Sequence, residues 1–227
     1  MNGNPFFITV SRKLDFTAVS HLTDRKIPTI VWGFKSVYSF YAQRGFIITI
    51  VSADGEFGPL QEKINDMPHG PQMNLASADE HVPEVERRIW VVKERARDIQ
   101  HNLPFHRIPK ILLINMVLLA VEMLTYFPTK AGISKTLSPR AILTGESLDY
   151  KKHLSLQFGQ YCQVHQENAP TNSQKARTKG AICMGPSGNR QGGYKFMSIW
   201  LTKKITGRVW DVIPMPDIVI DRVNELG

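Results

Sequence analysis

The sequence predicts an α/β core followed by a small, basic all-β module. Two observations predict the core: segments of β-forming residues alternate with helix-like segments, and residues 111–127 form a long apolar run with a few polar positions. A third observation predicts the second module, because short apolar segments alternate with turn-forming residues beyond residue 153. With 227 residues, of which 42% are hydrophobic, the chain can bury the cores of one large and one small domain.

The first part of the chain predicts a sheet with one crossover helix. Residues 5–10 and 16–19 are rich in β-formers and flank a basic bend, which predicts an antiparallel hairpin or meander. Apolar residues recur at helical spacing between residues 30 and 41, and Gly45 marks a C-terminal stop. A strand over residues 46–53 follows. A strand, a helix and a second strand in one sheet imply a right-handed, partly parallel arrangement.

The middle of the chain predicts helices separated by a loop. Residues 59–64 predict a short helix. Residues 67–78, interrupted by Pro and Gly, predict a loop with at most a brief strand, of the kind that often borders an active site. The apolar face of the next helix consists of Val85, Ile89, Val92, Ala96 and Ile99. We interpret residues 110–126 as a buried helix, because the run carries Asn115 and Glu122 and is shorter than the ~20 residues of a membrane span.

The last third predicts a linker, a small barrel and a closing helix. Residues 129–147 are rich in Gly, Ser, Thr and Pro and predict a linker. Five short segments then follow at the spacing typical of a small β-barrel, namely residues 154–158, 161–164, 180–184, 194–200 and 204–212. The tail, residues 216–226, has apolar residues in helical register and predicts a short helix.

The charge distribution favours a polyanionic partner. The formal net charge is +8, and the stretch from residue 151 to residue 208 has ten basic residues and one acid, Glu167. The basic residues of this stretch are Lys151, Lys152, Lys175, Arg177, Lys179, Arg190, Lys195, Lys203, Lys204 and Arg208. Such a surface binds polyanions through counterion release, so nucleic acid is the first partner to consider. The alternative is a solvated face that only keeps the domain soluble.

Cysteine usage predicts the compartment. Only Cys162 and Cys183 are present, and their spacing is not that of a metal site. Both fall in predicted strands, so we expect them to be buried thiols. The opening segment does not resemble a signal peptide, and together these features predict a reducing, intracellular compartment.

Two predicted elements carry the most informative chemistry of the chain. One is the strand that ends at Asp54, and the other is the helix over residues 82–97, whose first turns include Glu86. Two carboxylates presented in this way can hold a divalent cation, and Mg²⁺ prefers such hard oxygen ligands. Lys93 and Arg97 follow Glu86 along one edge of the helix, where they could contact phosphates. The alternative is an ordinary amphipathic helix with a charged flank.

Both elements resemble the DDE integrase core of copia-type LTR retrotransposons. The matching residues are Asp54-Gly55-Glu56-Phe57 at the strand end and Val82-Pro83-Glu84-Val85-Glu86-Arg87 at the helix start. The resemblance continues through residues 136–145 (TLSPRAILTG), 153–161 (HLSLQFGQY) and 185–196 (GPSGNRQGGYKF), which look like the family's Thr-Pro segment, Phe-Gly strand and Gly-Tyr hairpin. It therefore covers nearly the whole chain.

The resemblance implies a fold and a division into domains. It implies an RNase H-like mixed sheet with flanking helices, followed by a small SH3-like β-barrel. The integrase catalytic core, without its first strand, would comprise residues 1–127, and a linker would follow over residues 128–147. The basic barrel would comprise residues 148–213, and residues 214–227 would form a C-terminal helix or an interdomain linker.

The resemblance also implies an activity, DNA integration by Mg²⁺-dependent strand transfer, in which a DNA 3′-hydroxyl attacks a target phosphodiester. Asp54 and Glu86 would be catalytic residues and ligands of Mg²⁺ or Mn²⁺. The residues expected to bind DNA, both retroelement ends and target, are Arg87, Lys93, Arg97, Lys203, Lys204 and Arg208. We further expect a homo-oligomer in the full-length protein, no membrane association, and a location in the nucleus and in cytoplasmic virus-like particles.

One catalytic residue of the family is not expected in this chain. In relatives the first catalytic Asp lies on the first strand, just before the segment that resembles residues 2–7. We therefore interpret the chain as an N-terminally truncated polyprotein fragment that binds metal weakly if at all. Residues 5–10 would be the second strand of the family, and Asp15 follows that strand, so it is not expected to substitute. Two alternatives stay open: a catalytically dead retroelement relic that retains only nucleic-acid binding, and a cellular RNase H-like nuclease.

Overall fold

The computed structural model has a mixed α/β architecture and describes residues 3–76, 82–165, 176–189 and 191–227. The chain forms two compact units. Unit 1 comprises residues 1–94 and 121–147, and unit 2 comprises residues 95–120 and 148–227. The domain division at residues 127 and 147 that the resemblance implies stays a prediction.

Unit 1 begins with the expected antiparallel hairpin. β1 (Phe6–Ser11) pairs with β2 (Phe16–His21), from Phe6 opposite His21 to Ser11 opposite Phe16. Asp15 closes the turn, because its backbone N–H donates to the Ser11 carbonyl at 2.7 Å while its φ is 53°. Asp tolerates this left-handed conformation better than most side chains do, which fixes the turn at this position.

A helix and a pair of parallel strands follow the hairpin. α1 (Ile27–Ala42) has a Pro in its first turn, where the missing N–H costs nothing. β3 (Ile50–Ala53) pairs parallel with β4 (Gln72–Leu75). Between them lie a 3-10 helix (Gly55–Leu60) and α2 (Gln61–Asn65). Among the described residues, β1-β2 and β3-β4 are separate two-stranded sheets, so the single sheet expected to join the early strands to the strand over residues 46–53 through α1 is not formed. The parallel pairing is made instead with β4, which lies inside the predicted loop.

The strand expected over residues 46–53 is shorter than predicted. Its ladder begins at Ile50, because the partner strand β4 has only four residues. Immediately before β4, Gly70 adopts a φ of 51° and is followed by Pro71, so the chain turns away from residues 46–49. Those residues still contribute to packing, because Phe46 and Ile48 lie against the core.

α1 forms the centre of the unit 1 core and contacts two apolar clusters. The first cluster consists of Phe34, Tyr38, Leu60, Ile64, Met67 and Met73. The second consists of Leu14, Val37, Tyr41 and Leu143. Phe7 of β1 and Ile48 pack against both clusters. The hairpin and the parallel strand pair are thus both stabilised by contacts around α1.

Two long helices follow β4, and a third, short helix lies inside the predicted linker. α3 (Pro83–His101) and α4 (Lys110–Leu124) have nearly the predicted bounds and contribute residues to both units. α5 (Pro139–Thr144) begins at Ser138, whose Oγ accepts a hydrogen bond from the Ala141 N–H at 3.1 Å. Gly145 ends α5 with a φ of 72°. Because Leu143 of α5 is buried in unit 1, this part of the predicted linker belongs to the packed structure.

Unit 2 contains a five-stranded antiparallel sheet in the order β8-β7-β6-β5-β9. α6 (Tyr150–His153) precedes the sheet and α7 (Asp217–Leu226) follows it. The strands are β5 (Tyr161–His165), β6 (Thr178–Pro186), β7 (Tyr194–Ser198), β8 (Lys204–Gly207) and β9 (Trp210–Val212). The predicted closing helix is confirmed by α7. The single strand expected over residues 204–212 divides into β8 and β9, which lie at opposite edges of the sheet.

The strand expected over residues 154–158 is not formed. The segment is irregular and buries Leu156 in the sheet core. The backbone N–H groups of Ser155 and Leu156 donate to the hydroxyl of Tyr194 at 3.0 and 3.4 Å. A side chain therefore takes the place of a ladder partner, and the apolar residues of the segment reflect loop packing.

The sheet of unit 2 curls strongly. Only Arg208 and Val209 connect β8 to β9. In a flat five-stranded sheet the two edge strands, β8 and β9, would lie about 19 Å apart. The three residue steps from Gly207 to Trp210 span at most about 11 Å even when fully extended. The curl brings β8 against β5, since a Cβ placed on Gly207 would lie 2.5 Å from Cγ1 of Val164.

Each face of this sheet has its own core. The inner, concave face holds Leu156, Cys162, Val164, Ala181, Cys183, Tyr194 and Phe196. Trp210 packs beside it, with its ring centroid 5.0 Å from that of Tyr194 and 5.9 Å from that of Phe196. The outer face carries Tyr161, Ile182 and Met197, which pack with Leu112 of α4 and Val223 of α7.

Candidate metal and nucleic-acid site

Asp54 lies directly after β3, as the sequence predicts. The ladder continues beside it, because the Ala76 N–H donates to the Ala53 carbonyl at 2.9 Å. The Asp54 carbonyl accepts from the Phe57 N–H at 3.0 Å, which starts the 3-10 helix. Its carboxylate is not used as a helix cap. The backbone thus fixes Asp54 at the end of a parallel strand and leaves its side chain available.

One oxygen of Asp54 is buried without a hydrogen-bond donor. Within the part of the chain that the structure describes, Oδ1 of Asp54 is inaccessible to solvent and has no partner. Leaving a buried polar atom unsatisfied typically costs about 1–3 kcal/mol, and more when the atom carries charge. A cation at this oxygen would remove that cost, which makes Asp54 the best candidate ligand in unit 1.

Glu86 occupies the first turn of α3, also in unit 1. Its backbone N–H donates to the Val82 carbonyl at 3.2 Å, so the helix has begun before this residue. The side chain is exposed and takes part in an interaction of its own. That the Glu86 and Asp54 carboxylates lie close enough to share a metal stays a prediction.

Asp54 fits a hard divalent cation, but the ligand set around it is partial. Mg²⁺ requires about six oxygen ligands and accepts water for several of them. Among the described residues, no three His, Cys, Asp or Glu side chains form a group that could hold a metal ion. Residues 77–81, which include Asp79, Glu80 and His81, lie outside the described residues.

Asp15 has a different partner, which the sequence did not reveal. Its carboxylate accepts a hydrogen bond from the guanidinium of Arg88, and the two side chains are only 12% and 17% exposed. Nearby, Arg12 forms an exposed ion pair with Glu84 at 2.7 Å. These contacts join the turn of the hairpin to the first turns of α3. Asp15 is therefore occupied in positioning α3, and the expectation that it does not substitute for a metal ligand stays a prediction.

The predicted DNA-binding residues of α3 lie at the surface. Arg87, Lys93 and Arg97 are all exposed, and Arg97 also takes part in another interaction within the structure. The buried residues of the same helix are Val92 and Ala96, which belong to the predicted apolar face. The amphipathic pattern is thus confirmed, while the role of these cations in binding DNA stays a prediction.

The predicted DNA-binding residues of unit 2 flank one edge strand. Lys203 precedes β8, Lys204 begins it and Arg208 follows it, and all three are exposed. Lys204 lies opposite Met197 and Thr206 lies opposite Lys195. The pairing places Lys195 and Lys204 on the outer face of the sheet. Two further cations of the basic stretch, Lys175 and Arg190, lie outside the described residues.

Cys162 and Cys183 are buried thiols, as predicted. Both belong to the inner core of the sheet and are reduced. Burial raises the pKa of Cys162 to about 11 and that of Cys183 to about 12, because the thiolate would lose its hydration. Neither side chain is suited to act as a nucleophile or a metal ligand at neutral pH.

Comparisons with known proteins find similar solved structures but no matching family model or curated protein. A chain in the cryo-EM structure of the simian T-cell lymphotropic virus intasome in complex with PP2A regulatory subunit B56 gamma is similar, with 10% sequence identity and a TM-score of 0.43. The similarity covers 94% of this chain and 73% of that chain. The copia-type family suggested by the motifs stays a prediction.

The longest helices of the described residues are α1, α3 and α4. Among the described residues, no helix combines the length and the hydropathy needed to cross a bilayer. This includes α4, whose residues are predominantly apolar.

Proposed function

We propose that this chain is related to the copia-type retrotransposon integrases, whose activity is Mg²⁺-dependent DNA strand transfer, and that it binds nucleic acid. In this proposal the strand pairs and helices of unit 1 correspond to parts of an RNase H-like core, and the curled sheet of unit 2 is a small SH3-like barrel. The observation that carries the proposal is the buried, unpartnered Oδ1 of Asp54 at the end of a parallel strand. It coincides with the motif residue that the resemblance assigns to metal.

Each group of residues has a defined role in this proposal. Asp54 and Glu86 would hold Mg²⁺ or Mn²⁺, which when bound activates the attacking hydroxyl and stabilises the leaving oxygen. Arg88 positions α3, and with it Glu86, through its contact with Asp15. Arg87, Lys93, Arg97, Lys203, Lys204 and Arg208 would bind phosphates. Because only two acids, Asp54 and Glu86, are assigned to metal and the two-ion mechanism needs ligands for both ions, metal binding by this chain should be weak and strand transfer undetectable.

A thermal-shift experiment tests the metal site. At a Mn²⁺ concentration about tenfold above Kd, binding should raise the Tm of the wild-type protein by roughly 3–5 °C. Asp54→Asn should abolish this shift, because a neutral amide is a poor ligand for a divalent cation. Asp66→Asn, at an exposed position in the same unit, is the matched control and should retain it. Equal shifts for wild type and Asp54→Asn would contradict the assignment.

A second experiment tests nucleic-acid binding. The affinity of the full chain for duplex DNA should fall steeply as salt rises. Replacing Lys203, Lys204 and Arg208 with Gln should flatten the slope of log affinity against log salt by roughly two to three units. The control is the replacement of the exposed Lys26, Lys35 and Lys130 of unit 1, which should leave the slope unchanged. Absence of binding at low salt would favour a barrel that binds protein instead.

The second candidate is a catalytically dead relic that retains only nucleic-acid binding. It is favoured by the position of Asp15, because that acid is held by Arg88 and so is occupied in a structural contact. The two candidates differ in the thermal-shift experiment, because a relic that retains only nucleic-acid binding should show no Mn²⁺-dependent rise in Tm that requires Asp54. Joining of DNA ends by this chain would exclude the relic and show that a third acid is present.

A further inference from the structure

The turn between β7 and β8 is a rigid tip. Its geometry depends on Ser198, whose side chain is buried. The Thr202 N–H donates to the Ser198 carbonyl at 2.9 Å, the Leu201 N–H donates to its Oγ at 3.4 Å, and the Ser198 N–H donates to the Lys203 carbonyl at 3.0 Å. Ile199 is buried in the outer core. The tip is therefore attached firmly to the sheet on both sides.

This tip presents an aromatic ring to solvent. The sequence assigned Trp200 to a strand, but β7 ends at Ser198 and Trp200 lies in the turn, 73% exposed. The adjacent Leu201 is also exposed. In contrast, Trp210 of the same unit packs on Tyr194 and Phe196. Trp200 is thus held outside the core by a defined turn, with the ring open to a partner.

The surroundings of Trp200 are cationic. Lys203 and Lys204 follow within four positions and are exposed, and Arg208 lies at the other end of β8. Between Glu167 and Asp211 the sequence contains no acidic residue. A partner at this tip must therefore offer negative charge close to a flat apolar group. Nucleic acid combines these two properties, because every phosphate is accompanied by a base with an aromatic face.

We propose that Trp200 is a stacking site for an unpaired nucleobase, with Lys203 and Lys204 binding the adjacent phosphates. The inference rests on the proposed nucleic-acid binding and adds its substrate class. Bases inside a duplex are stacked on one another and expose only their edges in the grooves. The ring of Trp200 therefore selects single-stranded nucleic acid, or the unpaired end of a duplex.

An anionic membrane surface is the rival partner, because Trp and Leu beside lysines also bind lipid interfaces. The distribution of charge favours nucleic acid. Lys203 lies at the tip end of β8 and Arg208 at its far end, roughly 15 Å further along the extended chain. The cations therefore form a line that begins at the tip and extends away from it. A linear polyanion can follow such a line, whereas a membrane plane would meet mainly the tip itself.

Fluorescence anisotropy with the full chain tests the site. The probes are a labelled 12-nucleotide single strand of deoxyadenosine and a blunt duplex of the same length. Trp200→Ala should weaken binding to the single strand roughly tenfold, as expected for one stacked base, and should change duplex binding less than about twofold. Trp200→Phe should restore most of the loss, because a smaller ring still stacks. The salt dependence should not change in either variant, because no cation is removed.

The matched control is Trp32→Ala, since Trp32 is 60% exposed and lies on α1 in unit 1. This variant should bind both probes as the wild type does. Unchanged single-strand binding by Trp200→Ala, or an equal loss on both probes, would overturn the stacking site while leaving the proposed function intact. Binding to anionic phosphatidylserine vesicles that depends on Trp200, with single-strand binding unaffected, would overturn it in favour of a membrane. Wild-type protein that binds neither DNA would refute the proposed function itself.

Discussion

The strands of unit 1 and those of unit 2 are buried to different extents. In unit 2 the sheet has fully buried residues on both faces, for example Phe196 on the inner face and Met197 on the outer face. In unit 1, β1 and β2 consist almost entirely of half-buried residues. Isolated two-stranded pairs are marginal in water. The sheet of unit 2 therefore organises its own core, whereas the strands of unit 1 depend on packing against α1.

Removing one aromatic ring from the strands of each unit is the most direct test of this difference in burial. Phe196→Ala should lower the free energy of unfolding by about 3–5 kcal/mol, because a fully buried ring leaves a cavity. Phe7→Ala should cost about 1–2 kcal/mol, because Phe7 is only half-buried. Urea titrations followed by circular dichroism measure both values. Similar costs for the two variants would show that the strands of unit 1 are as tightly packed as those of unit 2.

The curl of the unit 2 sheet gives the next largest expected effect. Gly207→Ala should destabilise the protein by about 1–3 kcal/mol, because the added methyl group would lie too close to Val164. In a Val164→Ala background, Gly207→Ala should lower the free energy of unfolding by less than it does in the wild type. A double-mutant cycle measures this difference. Gly58→Ala is the control in unit 1, where a Cβ would be in ordinary contact with Leu75, and it should change stability by less than about 1 kcal/mol.

Two ion pairs between the hairpin turn and α3, one largely buried and one exposed, should contribute differently to the stability of unit 1. Arg88→Met should cost about 2 kcal/mol, because it leaves the largely buried Asp15 carboxylate without its partner. Arg12→Met should cost less than about 1 kcal/mol, because the pair of Arg12 with Glu84 is exposed. Thermal unfolding of the two variants decides the matter, and a larger effect of Arg12→Met would contradict this interpretation. Asp15→Asn tests the same contact while preserving the turn, since Asn also tolerates a positive φ.

Alkaline pH should lower the stability of both units by a smaller amount, and the loss should begin at a different pH in each unit. Burial raises the pKa of Cys162 from 9.0 to about 11 and that of Cys183 from 9.0 to about 12. The unfolded state then loses protons first as pH rises, so the stability of unit 2 should be constant below about pH 9 and fall above it. Burial raises the pKa of Tyr41 from 10.0 to about 12, so unit 1 should begin to lose stability about one pH unit later.

Urea titrations between pH 8 and pH 10.5 measure this dependence, followed by the fluorescence of Trp210 in a variant in which Trp32, Trp90 and Trp200 are replaced with Phe. Cys162→Ala with Cys183→Ala should remove most of the loss between pH 9 and pH 10. A stability that rises over this interval, or a loss that the double variant retains, would show that the two thiols are not its cause.

The elements that could be predicted from the sequence are those with a regular pattern. α3 and α7 were found because their apolar residues recur with a helical period over ten or more residues, and α4 was found because it is a long apolar run. The hairpin of β1 and β2 was found because two β-forming segments flank a short bend. α5 was missed because a segment rich in Gly, Ser, Thr and Pro predicts a linker, although Ser138, Pro139 and Gly145 are typical helix-end residues.

The candidate site was predictable only where it depends on local structure. The position of Asp54 follows from a strand that ends at that residue. The pairing of Asp15 with Arg88 could not be predicted, because the two residues are 73 positions apart and meet only through the packing of unit 1. The exposure of Trp200 could not be predicted either, since its apolar neighbours favoured a longer strand. In that case hydrogen bonds to Ser198 ended the strand.

The short connection between β8 and β9 also affects how this protein can associate with other chains. Unpaired strand edges are templates for unwanted pairing, and long flat edges are the most hazardous. Here the two edge strands have only four and three residues, and the curl turns both away from a common plane. We therefore expect the basic sheet to resist aggregation through backbone pairing while its surface cations stay accessible.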